Sequence, residues 1–134
     1  MRIDTSWEGL CPDLRPKAFE LFARCAQARI FLVLVETLRD PGRQSELVAR
    51  GKSKRLDSLH LPQPGCLASH ALDAAPLLEL VETVRVKAIQ WDTKHPAWIF
   101  YGETAESLGL VWGGRWRKFR DYGHVEWHNQ HKEV

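Results

Sequence analysis

Two imidazoles and two carboxylates stand out in this chain: His60, Asp73, and the tetrapeptide Asp121-Tyr122-Gly123-His124. Two imidazoles and one carboxylate can hold a zinc ion and leave a fourth position open for water. Asp121 lies three residues before His124, so it can sit beside such an ion without binding it. The set points to hydrolysis by metal-activated water, with Asp121 moving the proton. The spacing does not bring these residues together; the fold has to.

The elements that must do so read as a mixture of helices and strands. Leu14, Ala18, Leu21, Phe22 and Cys25 recur at helical spacing and predict an amphipathic helix over about 13–28, with Asp13 as its cap. Ile30 to Glu36 reads as a buried strand. Pro41-Gly42 reads as a turn, followed by a short helix from Arg43 to Arg50 that Gly51 stops. Lys52 to Cys66 is loop-like, and Ala68 to Ala75 reads as a strand leaving that loop. Leu77 to Trp91 fits both periods and is read as strands. His95-Pro96 opens another helix, with Trp98, Tyr101, Ala105 and Leu108 as its apolar stripe and Gly109 as its end. Gly113-Gly114 is a turn. In His124-Val125-Glu126-Trp127-His128, Val125 and Trp127 alternate inward and leave His124, Glu126 and His128 on the opposite face. No regular βαβ rhythm appears, so the fold class is α+β.

The chain's 134 residues suit one domain, 1–134, able to bury about two-thirds of its unfolded surface without a disulfide framework. The net charge of +2 gives no argument for a dedicated nucleic-acid surface, and no nucleic-acid partner is expected. The basic run Arg50-Gly51-Lys52-Ser53-Lys54-Arg55 reads as a solvated loop, with steering of an anionic substrate as the alternative. Cys11, Cys25 and Cys66 show no paired spacing and read as reduced thiols, with Cys66 a possible stray metal ligand. Met1 to Asp4 opens no signal peptide. The most apolar run, Ala28 to Leu38, is broken by Arg29 and Glu36 and is too short to span a membrane, and no membrane insertion is expected. The expectation is a monomer made in the cytoplasm that acts outside it after release.

Several motifs carry a resemblance. Ser58-Leu59-His60 followed by Ala71-Leu72-Asp73 resembles the S-x-H … A-x-D element of the Hedgehog-like zinc peptidases of peptidoglycan, which include D-Ala-D-Ala carboxypeptidases and L-alanyl-D-glutamate endopeptidases. Glu36-Thr37-Leu38-Arg39 with Arg43-Gln44 resembles that family's strand and arginine turn, and Gly51-Lys52-Ser53 its G-x-S element. The stretch Trp112-Gly113-Gly114-Arg115-Trp116, then Phe119, Asp121, His124 and Glu126, resembles the family's W-G-G-x-W-x-x-F-x-D-x-x-H-x-E ending, most of all in the phage endolysin branch.

Over residues 30–128 the resemblance implies a small antiparallel sheet with flanking helices. It implies Zn2+ on His60, Asp73 and His124, Asp121 as the catalytic carboxylate, and Arg39 as the substrate-side arginine. Glu126 and Ser58 would stand behind the ligands. The implied substrate is the peptidoglycan stem peptide, cut between L-Ala and D-Glu. The alternatives are a D-Ala-D-Ala carboxypeptidase and a non-catalytic wall-binding module. One departure is the loop that puts Asp73 thirteen positions beyond His60, which makes His70 a rival ligand. His128 and His131 read as solvated tail residues, and Trp112 and Trp116 as core.

Overall fold

The computed structural model describes residues 3–53, 57–78 and 88–128. The branched run after Ile30 forms strand β1, Leu32–Glu36. The alanine-rich stretch Ala71–Pro76 forms β2, Val111–Trp112 forms β3, and His124–Glu126 forms β4. All pair antiparallel in the order β1-β2-β4-β3. The two central strands are therefore β2 and β4. Their register sets Leu72 opposite Val125 and Asp73 opposite His124. Side chains alternate along a strand, so one face of this pair is apolar and the other carries the site residues.

Helix α1, Arg15–Gln27, turns Ala18, Leu21 and Cys25 inward, as the spacing predicts. Its cap differs from expectation. Leu14 takes the N-cap position without a side-chain hydrogen bond, because it is itself fully buried in the core. A turn closed by Leu14 N–H and Arg15 N–H donating to the Cys11 carbonyl leads the chain in. Helix α2, Pro41–Ala49, starts at the expected turn rather than after it. The Asp40 carboxylate accepts from Arg43 N–H, and Pro41 is preset for the first helical position. Helix α3, Pro96–Ser107, is capped by His95 and ends at Gly109, whose φ is +82°. Its Trp98, Tyr101 and Ala105 join Leu21, Leu34, Leu72, Ala74 and Val125 in one core between the helices and the apolar sheet face. Of the strands expected over 77–91, the described ends meet in a bridge from Leu77 to Ile89; residues 79–87 lie outside the described residues.

Trp112 anchors the segment that delivers the C-terminal motif. It is buried, as expected, and its indole N–H donates to the Tyr122 carbonyl at 2.8 Å. Two glycines make room for its ring: a Cβ on Gly102 would lie 2.0 Å from it, and one on Gly114 2.2 Å. Gly102→Ala should therefore cost stability by overpacking, by about 1–3 kcal/mol. Denaturant unfolding at constant slope would register this as a lower midpoint, and an unchanged midpoint would contradict the packing.

The cysteine expectation needs correction. Cys11 and Cys66 form a disulfide with Cα atoms 5.7 Å apart, and among the described cysteines only Cys25 is free. They meet because the loop after His60 folds back on the N-terminal segment. Ser69 N–H donates to the Gly9 carbonyl and Cys11 N–H to the Ser69 carbonyl. A separation of 55 residues gives no local sign of this. Burial pushes the Cys25 thiol up to about 12, so it stays protonated.

Candidate active site

A cleft of about 520 Å³ opens on the polar face of the sheet. His60 reaches it from the loop before β2, Asp73 from β2, and His124 and Glu126 from β4. Asp121 and Trp116 come from the segment between β3 and β4. The structure thus brings together every residue of the expected ligand set, with Asp121 on the same wall.

His60 Nε2 lies 3.2 Å from Asp73 Oδ1, and His124 Nδ1 lies 3.1 Å from the same oxygen. The opposite ring nitrogens fix the tautomers. His60 Nδ1 is 2.7 Å from the Thr37 carbonyl, which can only accept, so that nitrogen carries the hydrogen. His124 Nε2 donates to Glu126 Oε1 at 2.7 Å. In the neutral rings, His60 Nε2 and His124 Nδ1 then present lone pairs to a carboxylate oxygen. Three electron-rich atoms this close need a cation or a proton among them. All three lie within 4.8 Å of one another, two are imidazole nitrogens and one is a carboxylate oxygen, and this donor chemistry fits zinc. The hydrogen bonds behind the rings are the arrangement that orients metal-binding histidines.

Other cleft residues support this centre. Ser58 Oγ accepts from His60 N–H at 3.2 Å and steadies the turn. Arg39, buried, donates to Glu36 Oε1 at 2.7 Å and to Gln44 Oε1 at 2.8 Å, with a terminal nitrogen 3.8 Å from Asp73 Oδ2. Arg43 closes on the same Glu36. Burial alone would raise the Glu36 carboxyl, but hydrogen bonds from Arg43 and Arg39 outweigh it and lower its pKa. His70 sits apart from the cleft centre, with its ring 4.8 Å from Trp127 and Nε2 3.8 Å from Cys66 Sγ. One aromatic reading changes: Trp116 is a wall of the cleft, 5.0 Å from the His124 ring. His128 is exposed, as expected, and its ring also pairs with Glu126. Residue 131 lies outside the described residues. Sequence reasoning assigned no role to Thr37, whose contribution is a backbone carbonyl and leaves no side-chain signal.

The electrostatics of the metal-free centre follow from the same contacts. Burial would raise the Asp73 carboxyl, but the charge and hydrogen bonds of His60 and His124 overcome it and hold it well below the carboxylate range. Burial would lower the His124 pKa, yet the bonds to Asp73 and Glu126 bring it up to about 10. Glu126 falls to about 2 because His124 and His128 outweigh its desolvation. Asp121 moves the other way. Although exposed at the cleft mouth, it is crowded enough that desolvation raises its pKa, and repulsion from Asp73 adds to this.

These shifts set a pH window for the metal-free protein. His124, raised from 6.5, contributes stability that is complete below 6.5 and lost as pH climbs toward about 10. Glu126, lowered from 4.5, contributes stability present above 4.5 and lost as pH falls toward about 2. Chelator-treated protein should therefore melt highest between pH 4.5 and 6.5. A melting temperature that rises steadily from pH 6 to 9 would contradict the proton-bridged centre.

Residues 52–127, more than half of the chain, match the D-alanyl-D-alanine carboxypeptidase family, and the chain belongs to that family of peptidases. Over 124 residues it is 28% identical to the peptidoglycan L-alanyl-D-glutamate endopeptidase CwlK of Bacillus subtilis (strain 168), spanning 87% of this chain and 72% of that protein. Its fold is similar to that of the Serratia marcescens L-Ala D-Glu endopeptidase ChiX. The TM-score is 0.64 at 23% identity, covering 96% of this chain and 87% of the other. The α+β class with a small antiparallel sheet is therefore as the sequence predicts.

Proposed function

We propose that the chain is a zinc-dependent peptidoglycan endopeptidase that cuts the stem peptide between L-Ala and D-Glu. The observation that carries this reading is the convergence of His60 Nε2, Asp73 Oδ1 and His124 Nδ1 at the floor of a cleft that Asp121 also lines. The bond is supported by the likeness to CwlK, and the resemblance of the C-terminal ending supports a wall-lytic, endolysin-type role.

In this reading His60, Asp73 and His124 hold the ion. A zinc ion there would polarise the scissile carbonyl and lower the pKa of a water. Asp121 accepts the proton of the attacking water and delivers it to the leaving amine; its raised pKa suits a group that must take up and release a proton. Arg39 keeps its terminal nitrogens on Glu36 and Gln44, and from the cleft wall its positive charge steadies negative charge developing on the carbonyl oxygen. Glu126 and the Thr37 carbonyl keep the rings oriented. No helix among the described residues is long and apolar enough to cross a membrane.

Zinc-loaded protein incubated with defined stem peptides should release L-Ala from D-Glu, read by mass spectrometry, and chelation should stop it. Release of terminal D-Ala instead would make it a carboxypeptidase. Wall binding without any product would make it a binding module.

A further inference from the structure

We propose that Cys11, Cys66 and His70 form a second metal site in the reduced protein, suited to zinc or a similar thiophilic divalent ion, which the Cys11–Cys66 disulfide closes on oxidation. One ligand atom from each residue lies within 4.8 Å of the others. Cys66 Sγ and His70 Nε2 are 3.8 Å apart. Zinc–sulfur and zinc–nitrogen bonds of about 2.3 and 2.0 Å at a tetrahedral angle place those two atoms about 3.5 Å apart, so this edge is close to the length a shared ion needs. The Cα atoms of the cysteines, 5.7 Å apart, allow a disulfide. Rotation about their Cα–Cβ bonds can instead open the sulfurs onto an ion. Two thiolates and an imidazole are a soft donor set that favours zinc over the hard divalent ions. The Ala68 carbonyl oxygen lies 3.5 Å from Cys11 Sγ and 3.6 Å from Cys66 Sγ, close to where a fourth ligand would stand. Cys11 and His70 are buried, and the His70 ring makes a T-shaped contact with Trp127.

The location gives the site a purpose. Cys66 and His70 lie on the long loop that joins His60 to β2, and Cys11 lies on the N-terminal segment beneath it. That loop also fixes His60, since Arg39 N–H donates to the His60 carbonyl and His70 N–H to the Leu59 carbonyl. Under reducing conditions an ion would pin the loop, and under oxidising conditions the disulfide would. The exchange balances with a small disulfide RSSR as oxidant. The Cys11 and Cys66 thiolates form an S–S bond, the S–S bond of RSSR breaks, two electrons pass to it, two thiolates RS– leave and take up protons from water, and the ion is released.

The test is cobalt loading of the metal-free, full-length protein reduced with a phosphine. Only a sulfur-ligated site gives an intense thiolate-to-cobalt absorption band, so the result is independent of whether His60, Asp73 and His124 bind metal. The expected result is a band whose intensity at saturation corresponds to one thiolate-bound Co2+ per chain. It should vanish on addition of oxidised glutathione, vanish in Cys66→Ser, persist in Cys25→Ala, and weaken at least tenfold in affinity in His70→Ala. The proposal is overturned if reduced wild type shows no band, if the band survives Cys66→Ser, or if His70→Ala binds cobalt as wild type does. Should His70→Ala fail to fold, His70→Gln replaces it, and the reduced-against-oxidised comparison on wild type stands without any variant.

Discussion

Asp121→Asn is expected to fold, to keep its metal, and to lose peptide hydrolysis by ~10²–10⁴-fold, the usual worth of general-base catalysis. The substitution is nearly isosteric. The Asp121 carboxyl accepts from the Gly123 N–H, and an amide oxygen can still do so. The backbone bonds of the turn, from Asp121 N–H to the Gly113 carbonyl and from His124 N–H to the Asp121 carbonyl, do not involve the side chain. What asparagine cannot do is take a proton from water. The measurement is zinc content, thermal melting and stem-peptide turnover on one preparation. Near-normal turnover would remove Asp121 from the mechanism, and joint loss of zinc and turnover would make it a ligand or a support. The pH profile gives a second readout. Desolvation and Asp73 raise the Asp121 pKa in the metal-free cleft, so the acidic limb of the profile should reflect an Asp more basic than an ordinary one, and Asp121→Asn should abolish that limb.

Which parts of this were legible in the sequence follows from how far apart the interacting groups lie. The alternation in His124-Val125-Glu126 is local, and β4 keeps it: Val125 enters the core while His124 and Glu126 form the cleft floor. The α3 stripe and its proline and glycine ends are equally local. The ligand set was visible only through motif resemblance, because His60 and Asp73 are 13 residues apart and Asp73 and His124 are 51. The β2–β4 register, which no local pattern encodes, closes the larger gap. The Cys11–Cys66 pair failed for the same reason in reverse: nothing near either cysteine announces a partner 55 residues away. Trp116 looks like core material by type, but it follows the turn at Gly113–Arg115 and faces His124. Residue type alone cannot distinguish a buried indole from one that walls a site.

The long loop makes the choice between His60 and His70 the sharpest test of the site. His60→Ala should lose the cleft metal and bring hydrolysis close to background, whereas His70→Ala should keep both. Thr37 accepts from His60 Nδ1, which turns Nε2 toward Asp73 Oδ1 at 3.2 Å. His70 has its Nε2 directed at Cys66 instead. Removing the His60 ring leaves one imidazole and one carboxylate, which is one ligand short of a closed three-residue grip on zinc. It also strips Asp73 of the partner whose charge does most to offset its burial. The Asp73 carboxylate then sits beside a single histidine, and the variant should be less stable in metal-free form than wild type as well as poor at binding zinc. Metal titration of the two variants, followed by turnover at saturating zinc, separates the cases. Because His60 is fully buried, a folding check by circular dichroism accompanies it, and His60→Gln serves where the alanine variant does not fold. Tight cleft zinc in His60→Ala together with its loss in His70→Ala would move the ligand role across the loop and sink the proposed centre.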